Sequence, residues 1–289
     1  MISEEGVALY REHGWLVVED VFDSAELEHA RAVINEQVEK ARELTAHSET
    51  FDLEPDHTPE SPRVRRIKAP HTHIPYFHDL ARSKKLVSIL QKLLGTESVR
   101  LHGSKINMKS PGGGAPVEWH QDWAFYPHTN DDMLAVGVML EDCTVENGAM
   151  LMIPGSQNGP IYDHHADGYF AGAMDPADVD IPNAVPCVGK AGSVSFHHVR
   201  TIHGSAQNLS TKPRTLLLYE FAAADAWPLM SSPDLASFDA KLVSGQSTIQ
   251  PRLTPVPVRL PLPPSPRQGS IYENQQSSKH SYFGRKSAA

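Results

Sequence analysis

The sequence predicts a mainly β protein with helices flanking its sheets. Helical periodicity is strong only over about the first 95 residues, and from about residue 98 short apolar runs alternate with turn signals. The turn signals are Pro111-Gly112-Gly113-Gly114, Glu146-Asn147-Gly148 and Pro154-Gly155-Ser156. With 289 residues, the simplest division is one domain over 1–250 and a proline-rich extension over 251–289.

Residues 2–14 read as a helix ending at Gly14, followed by the apolar, β-branched strand Trp15-Leu16-Val17-Val18. Asp23-Ser24 opens a second helix, with Glu26 in a capping-box spacing and Leu27, Ala30, Val33, Ile34 and Val38 at helical period to about residue 43. Residues 45–73 lose all periodicity and read as a long loop, which includes the basic run Arg63-Val64-Arg65-Arg66-Ile67-Lys68. That run suits a solvated patch or a loop that meets an anionic substrate. A third helix is expected over 76–94, with Gly95 as its C-cap. Strands are expected near 98–109, 116–120, 134–140, 149–153, 185–188, 193–197 and 214–222. Seven prolines between Pro251 and Pro266 then leave a segment unable to build a core of its own, extended or disordered, which folds back across the rest or mediates a homodimer.

The net charge of −9 argues against nucleic acid or an anionic membrane as the main partner. No stretch reaches the roughly 18 apolar residues of a membrane span, and the N-terminus has no signal-peptide pattern. Cys143 and Cys187 give neither a disulfide framework nor a zinc spacing, which fits a cytoplasmic protein.

The chemistry concentrates at Trp119-His120-Gln121-Asp122. His120 and Asp122 on alternate strand positions project to one face, and a distant histidine can complete a facial set of two imidazoles and one carboxylate. Such a set leaves neighbouring positions open and suits Fe(II) oxygen chemistry, whereas structural zinc wants four closed positions. Among 16 histidines a lone His-x-Asp pair is weak evidence. Its context strengthens it: His203-Gly204-Ser205 follows a strand, and Arg214, 11 residues after His203, opens the next apolar strand. There an arginine could clamp a dicarboxylate bidentately.

With these motifs, and with Arg11-Glu12-His13-Gly14-Trp15, Ser104-Lys105-Ile106-Asn107-Met108-Lys109 and Glu146-Asn147-Gly148 through Pro154-Gly155-Ser156, the chain resembles the phytanoyl-CoA dioxygenase family of Fe(II)/2-oxoglutarate-dependent oxygenases over residues 5–225. The resemblance implies a double-stranded β-helix (jelly-roll, cupin-like) core near 98–225. It implies that His120, Asp122 and His203 are catalytic metal ligands, and that Arg214 and Ser205 hold 2-oxoglutarate. Asn107 is carried over as a further co-substrate contact, with Lys105 pointing into the same cavity. Val138 stands where relatives often have tryptophan. The implied cofactors are Fe(II), 2-oxoglutarate and O2, with ascorbate supportive in vitro. The implied activity is hydroxylation of an unactivated C–H in a small or medium organic substrate, with release of succinate and CO2. Asp122 favours this over halogenation, for which relatives carry a small residue there. Desaturation, epoxidation, ring expansion and endoperoxide formation use the same oxidant. A silent metal- or ligand-binding jelly-roll module is the rival from another class.

His71, His73, His164, His165, His197 and His198 read as structural or surface histidines, and the last two, which close the strand just before His203, additionally as supporters of the metal ligands. Trp123, Phe125 and Tyr126 suit core and substrate cavity equally.

Overall fold

A computed structural model describes residues 2–230, 234–267 and 269–284. The first helix, α1 (Glu4–His13), is capped by the Ser3 hydroxyl, and it ends where Gly14 turns left-handed at φ 80°. A side chain at Gly14 would collide with Gln157, whose Oε1 lies 2.3 Å from the Cβ position, so the turn into β1 (Trp15–Val18) needs glycine. The capping box Asp23/Glu26 starts α2 (Ser24–Lys40).

Two expectations are corrected in the next segment. The stretch read as a loop contains a hairpin, β2 (Phe51–Leu53) with β3 (Val64–Lys68), so the basic run is largely a strand. Its charges hide the alternation: Ile67 pairs with Ile106 and joins the helix-side core, while Arg66 and Lys68 pair with Asn107 and Lys105 and face the other way. Past a short helix, α3 (Pro70–His73), the helix expected over 76–94 is two pieces, α4 (Pro75–Leu80) and α5 (Lys84–Leu94), separated where Ser83 leaves helical backbone at ψ 138°. The break lets Phe77 enter the same core as Leu86, Ile89 and Leu90.

The remaining strands are β4 (Val99–Lys109), β5 (Val117–His120), β6 (Met133–Met139), β7 (Met150–Met152), β8 (His165–Ala166), β9 (Tyr169–Phe170), β10 (Val185–Cys187), β11 (Val194–His198), β12 (His203–Ser205), β13 (Arg214–Ala223) and β14 (Leu242–Ser244). The larger sheet has the order β1-β11-β6-β13-β4-β3-β2, with β14 beside β4, and the smaller sheet the order β10-β7-β12-β5. All strand pairings among the described residues are antiparallel, as a jelly-roll requires.

The period of two along β13 sorts the interior. Leu217, Tyr219 and Phe221 pack under the helices, while Arg214, Leu216 and Leu218 face the smaller sheet. The space between the two sheets holds the site.

After α6 (Leu235–Asp239), the proline-rich chain runs over the molecule and forms α7 (Ile271–Gln275). Of the alternatives held for this extension, its described part follows the one in which it folds back across the domain, as a packed strap. Trp123 Nε1 donates to the Pro257 carbonyl at 3.0 Å, Tyr272 and Phe283 are buried, and Phe283 lies against Trp119 with ring centroids 5.1 Å apart. Prolines supply no core, but the aromatic residues beyond them find one in the jelly-roll; Gln268 and the polar end 285–289 lie outside the described residues. Among the described residues no helix is long and apolar enough to cross a membrane.

Candidate metal and co-substrate centre

His120 closes β5 and His203 opens β12, and the antiparallel register sets the two directly opposite each other. Their rings lie 4.1 Å apart between centroids. The strand stops at His120, so Asp122 is not a strand residue as expected but begins a 3-10 turn, Asp122–Ala124. Gln121 between them is still extended (φ −116°, ψ 128°), which returns the Asp122 carboxylate to the His120 side, with Oδ1 3.6 Å from His120 Nε2. Gln121 itself is fully buried and tied to Pro160, Arg200 and Tyr162, and its N–H donates to His164 Nε2 at 2.9 Å. His164 is thus a buried brace for the turn that carries the ligands.

Ligand atoms of His120, Asp122 and His203 all lie within 4.8 Å of one another, the single such cluster among the described residues. Nδ1 of each histidine lies 2.9 Å from a backbone carbonyl two residues earlier, Glu118 O and Thr201 O. That contact places the proton on Nδ1 and leaves the Nε2 lone pair for a metal. Burial alone would raise the Asp122 carboxyl, but the neighbouring His120 and His197 imidazoles outweigh it and hold it well below the usual carboxylate range. Burial, with His120 and His197 alongside, holds His203 well below the usual imidazole value, so it is neutral and available to a cation. His197 Nε2 lies 3.4 Å from Asp122 Oδ2, and its ring is 4.4 Å from that of His203.

A cavity leads inward from these three residues between the sheets, lined by Asn107, Lys109, Ser205, Arg214, Leu216 and Leu218 among others. Its far end holds two buried cations. Arg214 and Lys109 are paired across β13 and β4. Arg214 Nη2 donates to the Gly148 carbonyl at 2.7 Å, and its Nε has no partner. Lys109 Nζ donates to Ser205 Oγ at 2.8 Å and to the Ala206 carbonyl. Burial and the neighbouring guanidinium push the Lys109 ammonium well below its ordinary value. Neither cation has a carboxylate partner among the described residues, and the Asn107 Oδ1 that lines the same cavity is also unpartnered there. A chelating dicarboxylate would supply the missing counter-charge, and the orphaned polar atoms fit one.

The sequence reasoning named Arg214, Ser205 and Asn107 but gave Lys109 no role, although its place in the Ser104–Lys109 motif on the Asn107 side of the strand was a usable signal. Lys105 also lines the cavity, yet its ammonium is held by Glu220 at 2.9 Å. Val138 lies in the helix-side core, while Ala135 on the same strand and His197 on the neighbouring β11 wall the cavity. Trp123 is core, whereas Phe125 and Tyr126 line a second, wider chamber on the other side of Asp122. Ile271 and Tyr272 of the C-terminal strap close the inner cavity. No local signal in a proline-rich tail foretold this.

The phytanoyl-CoA dioxygenase (PhyH) family model matches residues 10–216. A protein of Stutzerimonas stutzeri described as a "probable alpha-ketoglutarate-dependent hypophosphite dioxygenase" is 38% identical over 280 residues, 95% of this chain and 97% of that one. The ectoine dioxygenase of Bordetella bronchiseptica is 29% identical over 232 residues, 74% of this chain and 73% of its own. Among solved structures, the non-heme alpha-ketoglutarate-dependent carbocyclase SnoK from nogalamycin biosynthesis superposes with a TM-score of 0.64 at 27% identity, covering 78% of this chain and 86% of its own. Iron-bound EctD from S. alaskensis shares the fold at a TM-score of 0.67 and 23% identity, covering 88% of both chains. The chain belongs to the phytanoyl-CoA dioxygenase family and is an Fe(II)/2-oxoglutarate-dependent dioxygenase.

Proposed function

We propose that His120, Asp122 and His203 hold Fe(II), that Arg214 and Lys109, assisted by Ser205 and Asn107, hold 2-oxoglutarate, and that the substrate enters the wider chamber beyond Asp122. The observation that carries this is the pair of buried cations, Arg214 and Lys109, which lack a carboxylate partner among the described residues and share one cavity with the three ligand residues. Bound in this cavity, iron and 2-oxoglutarate supply O2 activation coupled to decarboxylation, so that a substrate hydrogen is replaced by hydroxyl while succinate and CO2 leave.

The chain's own residues bind, orient and exclude water. The Nδ1 contacts fix the ligand tautomers, and His197 and the Gln121–His164 brace hold Asp122 in place. Leu216, Leu218 and Tyr272 make the walls apolar, which strengthens the attraction between the buried cations and a carboxylate. The relative named for hypophosphite makes a phosphorus oxyanion a candidate substrate, and Arg66, Lys68 and Lys241 in the outer chamber support an anion there. Two buried, unbridged cysteines support a cytoplasmic enzyme.

The test is to incubate the protein with Fe(II), ascorbate and 2-oxoglutarate and measure succinate. Slow turnover is expected even without substrate; its absence from anaerobically iron-loaded protein that also fails to bind 2-oxoglutarate calorimetrically would overturn the reading.

A further inference from the structure

The outer chamber has a volume of about 530 Å³ and shares Lys105, Asp122 and Ile271 with the inner cavity, so whatever fills it abuts the metal ligands. Four cations stand on its walls, Arg66, Lys68, Lys105 and Lys241, against two carboxylates, Asp122 and Glu220. Most of these charges are already committed. Glu220 holds Lys105 at 2.9 Å, Asp52 outside the chamber holds Lys68 at 3.1 Å, and Asp122 belongs to the metal set. Arg66 and Lys241 are left without an ion pair among the described residues, and the Arg66 Nε is buried with no acceptor. A guanidinium donor enclosed in that way is costly unless an anion joins it. The histidines of the same wall add no charge to this excess: burial lowers His71 to about 4 and lowers His102 as well, so both are neutral hydrogen-bonding groups at pH 7.

Two uncommitted cations match a dianion. Size separates the candidates. A three-heavy-atom anion such as hypophosphite fills roughly two to three water volumes, about 60–90 Å³. Most of the chamber would then stay empty, although Phe125, Tyr126 and Ile271 provide an apolar wall suited to carbon.

We infer that the outer chamber takes an organic phosphorus dianion, a phosphonate or phosphate monoester, anchored by Arg66 and Lys241 with its carbon chain turned toward Asp122. This deepens the hydroxylase reading and rests on it. The balanced reaction is R–H + 2-oxoglutarate + O2 → R–OH + succinate + CO2, one oxygen atom entering the C–H bond and the other entering succinate. Substrate and keto acid each lose two electrons to O2.

The test is calorimetric titration of ethylphosphonate, at about pH 9 where its second proton is off and lysine is still charged, into the full-length protein, metal-free and, anaerobically, loaded with Fe(II) and 2-oxoglutarate. Binding is expected in both forms. Ethanesulfonate, of the same shape with one charge, and hypophosphite should each bind at least tenfold more weakly. Arg66→Met and Lys241→Ala should each weaken ethylphosphonate at least tenfold, while Lys190→Ala, at a fully exposed lysine paired with Asp142, should not. Lys241 is exposed, so its variant tests the anchor even if Arg66→Met misfolds. No ethylphosphonate binding, equal affinity for ethanesulfonate or hypophosphite, or undiminished binding by Lys241→Ala would overturn the inference. Failure of the oxygenase reading would show separately, as loss of 2-oxoglutarate binding and of succinate formation.

Discussion

Lys109 Nζ donates to Ser205 Oγ across 2.8 Å, and the two residues come from opposite sheets, β4 of the larger and β12 of the smaller. The same ammonium sits beside Arg214, its register partner. Lys109→Met should raise the KM for 2-oxoglutarate about 10–100-fold, since a charge-assisted hydrogen bond contributes roughly 1.5–3 kcal/mol. The metal-free protein should not lose stability, because methionine removes a buried charge that has no carboxylate partner. Steady-state kinetics with a thermal melt checks both; an unchanged KM would remove Lys109 from the co-substrate site. Arg214→Ala should likewise weaken 2-oxoglutarate affinity while iron binding persists.

His197 touches two of the three candidate metal ligands, Asp122 through Oδ2 at 3.4 Å and His203 through its ring. Groups that orient metal ligands typically matter 10–100-fold in metal affinity. His197→Ala should therefore weaken Fe(II) binding by about that factor, whereas His120→Ala should abolish it. Titration with a competing chelator separates the two outcomes. Equal affinity in His197→Ala and wild type would make this histidine mere packing.

Much of this centre was legible because it depends on short-range order. His120 and Asp122 lie two residues apart, and the strand periodicity around Arg214 and Asn107 placed them toward one interior. The sequence could not show what long-range pairing created. Arg66 and Lys68 became chamber residues only when β3 paired with β4, and a charged strand at that place carries no apolar alternation to reveal it. His164 became a brace through a contact 43 positions away from Gln121. The helix over 76–94 kept its apolar face but not its continuity, because a period-3.6 pattern does not report a short break over 81–83.

His128 supplies a pH prediction. Burial and the neighbouring His102 lower it to about 3, with Nδ1 2.7 Å from the Tyr126 carbonyl. Its folded value lies below the unfolded 6.5, so its full stabilising contribution is present above pH 6.5 and is lost progressively as pH falls toward 3, where the unfolded chain binds a proton and the folded chain does not. From pH 6.5 to 5 the loss should be about 2 kcal/mol. Urea denaturation at pH 7.5 and 5.0 would show it, and His128→Asn should flatten the dependence by about one proton. An identical slope in the variant would rule out His128 as the source.

The C-terminal strap supplies the last prediction. The Glu118 carboxylate, two residues before His120, accepts hydrogen bonds from the Ser281 hydroxyl and from the backbone N–H groups of Tyr282, Phe283 and Gly284. Gln275 meets the Glu118 backbone on the same segment, and Arg65 binds Glu273 while stacking over Tyr272 at 4.6 Å. Glutamine at 118 keeps the shape but offers one acceptor oxygen where the carboxylate offers two, so several donors lose their partner. Glu118→Gln should loosen 270–284 while the jelly-roll stays folded, seen as at least tenfold faster hydrogen exchange there and earlier proteolytic clipping of the tail. Because Ile271 and Tyr272 wall the inner cavity, the KM for 2-oxoglutarate should rise as well, and deleting residues 270–289 should raise it further. Faster exchange with an unaltered KM would mean the strap covers the site without shaping it. Unaltered exchange would mean that Glu118 is not what holds the strap down.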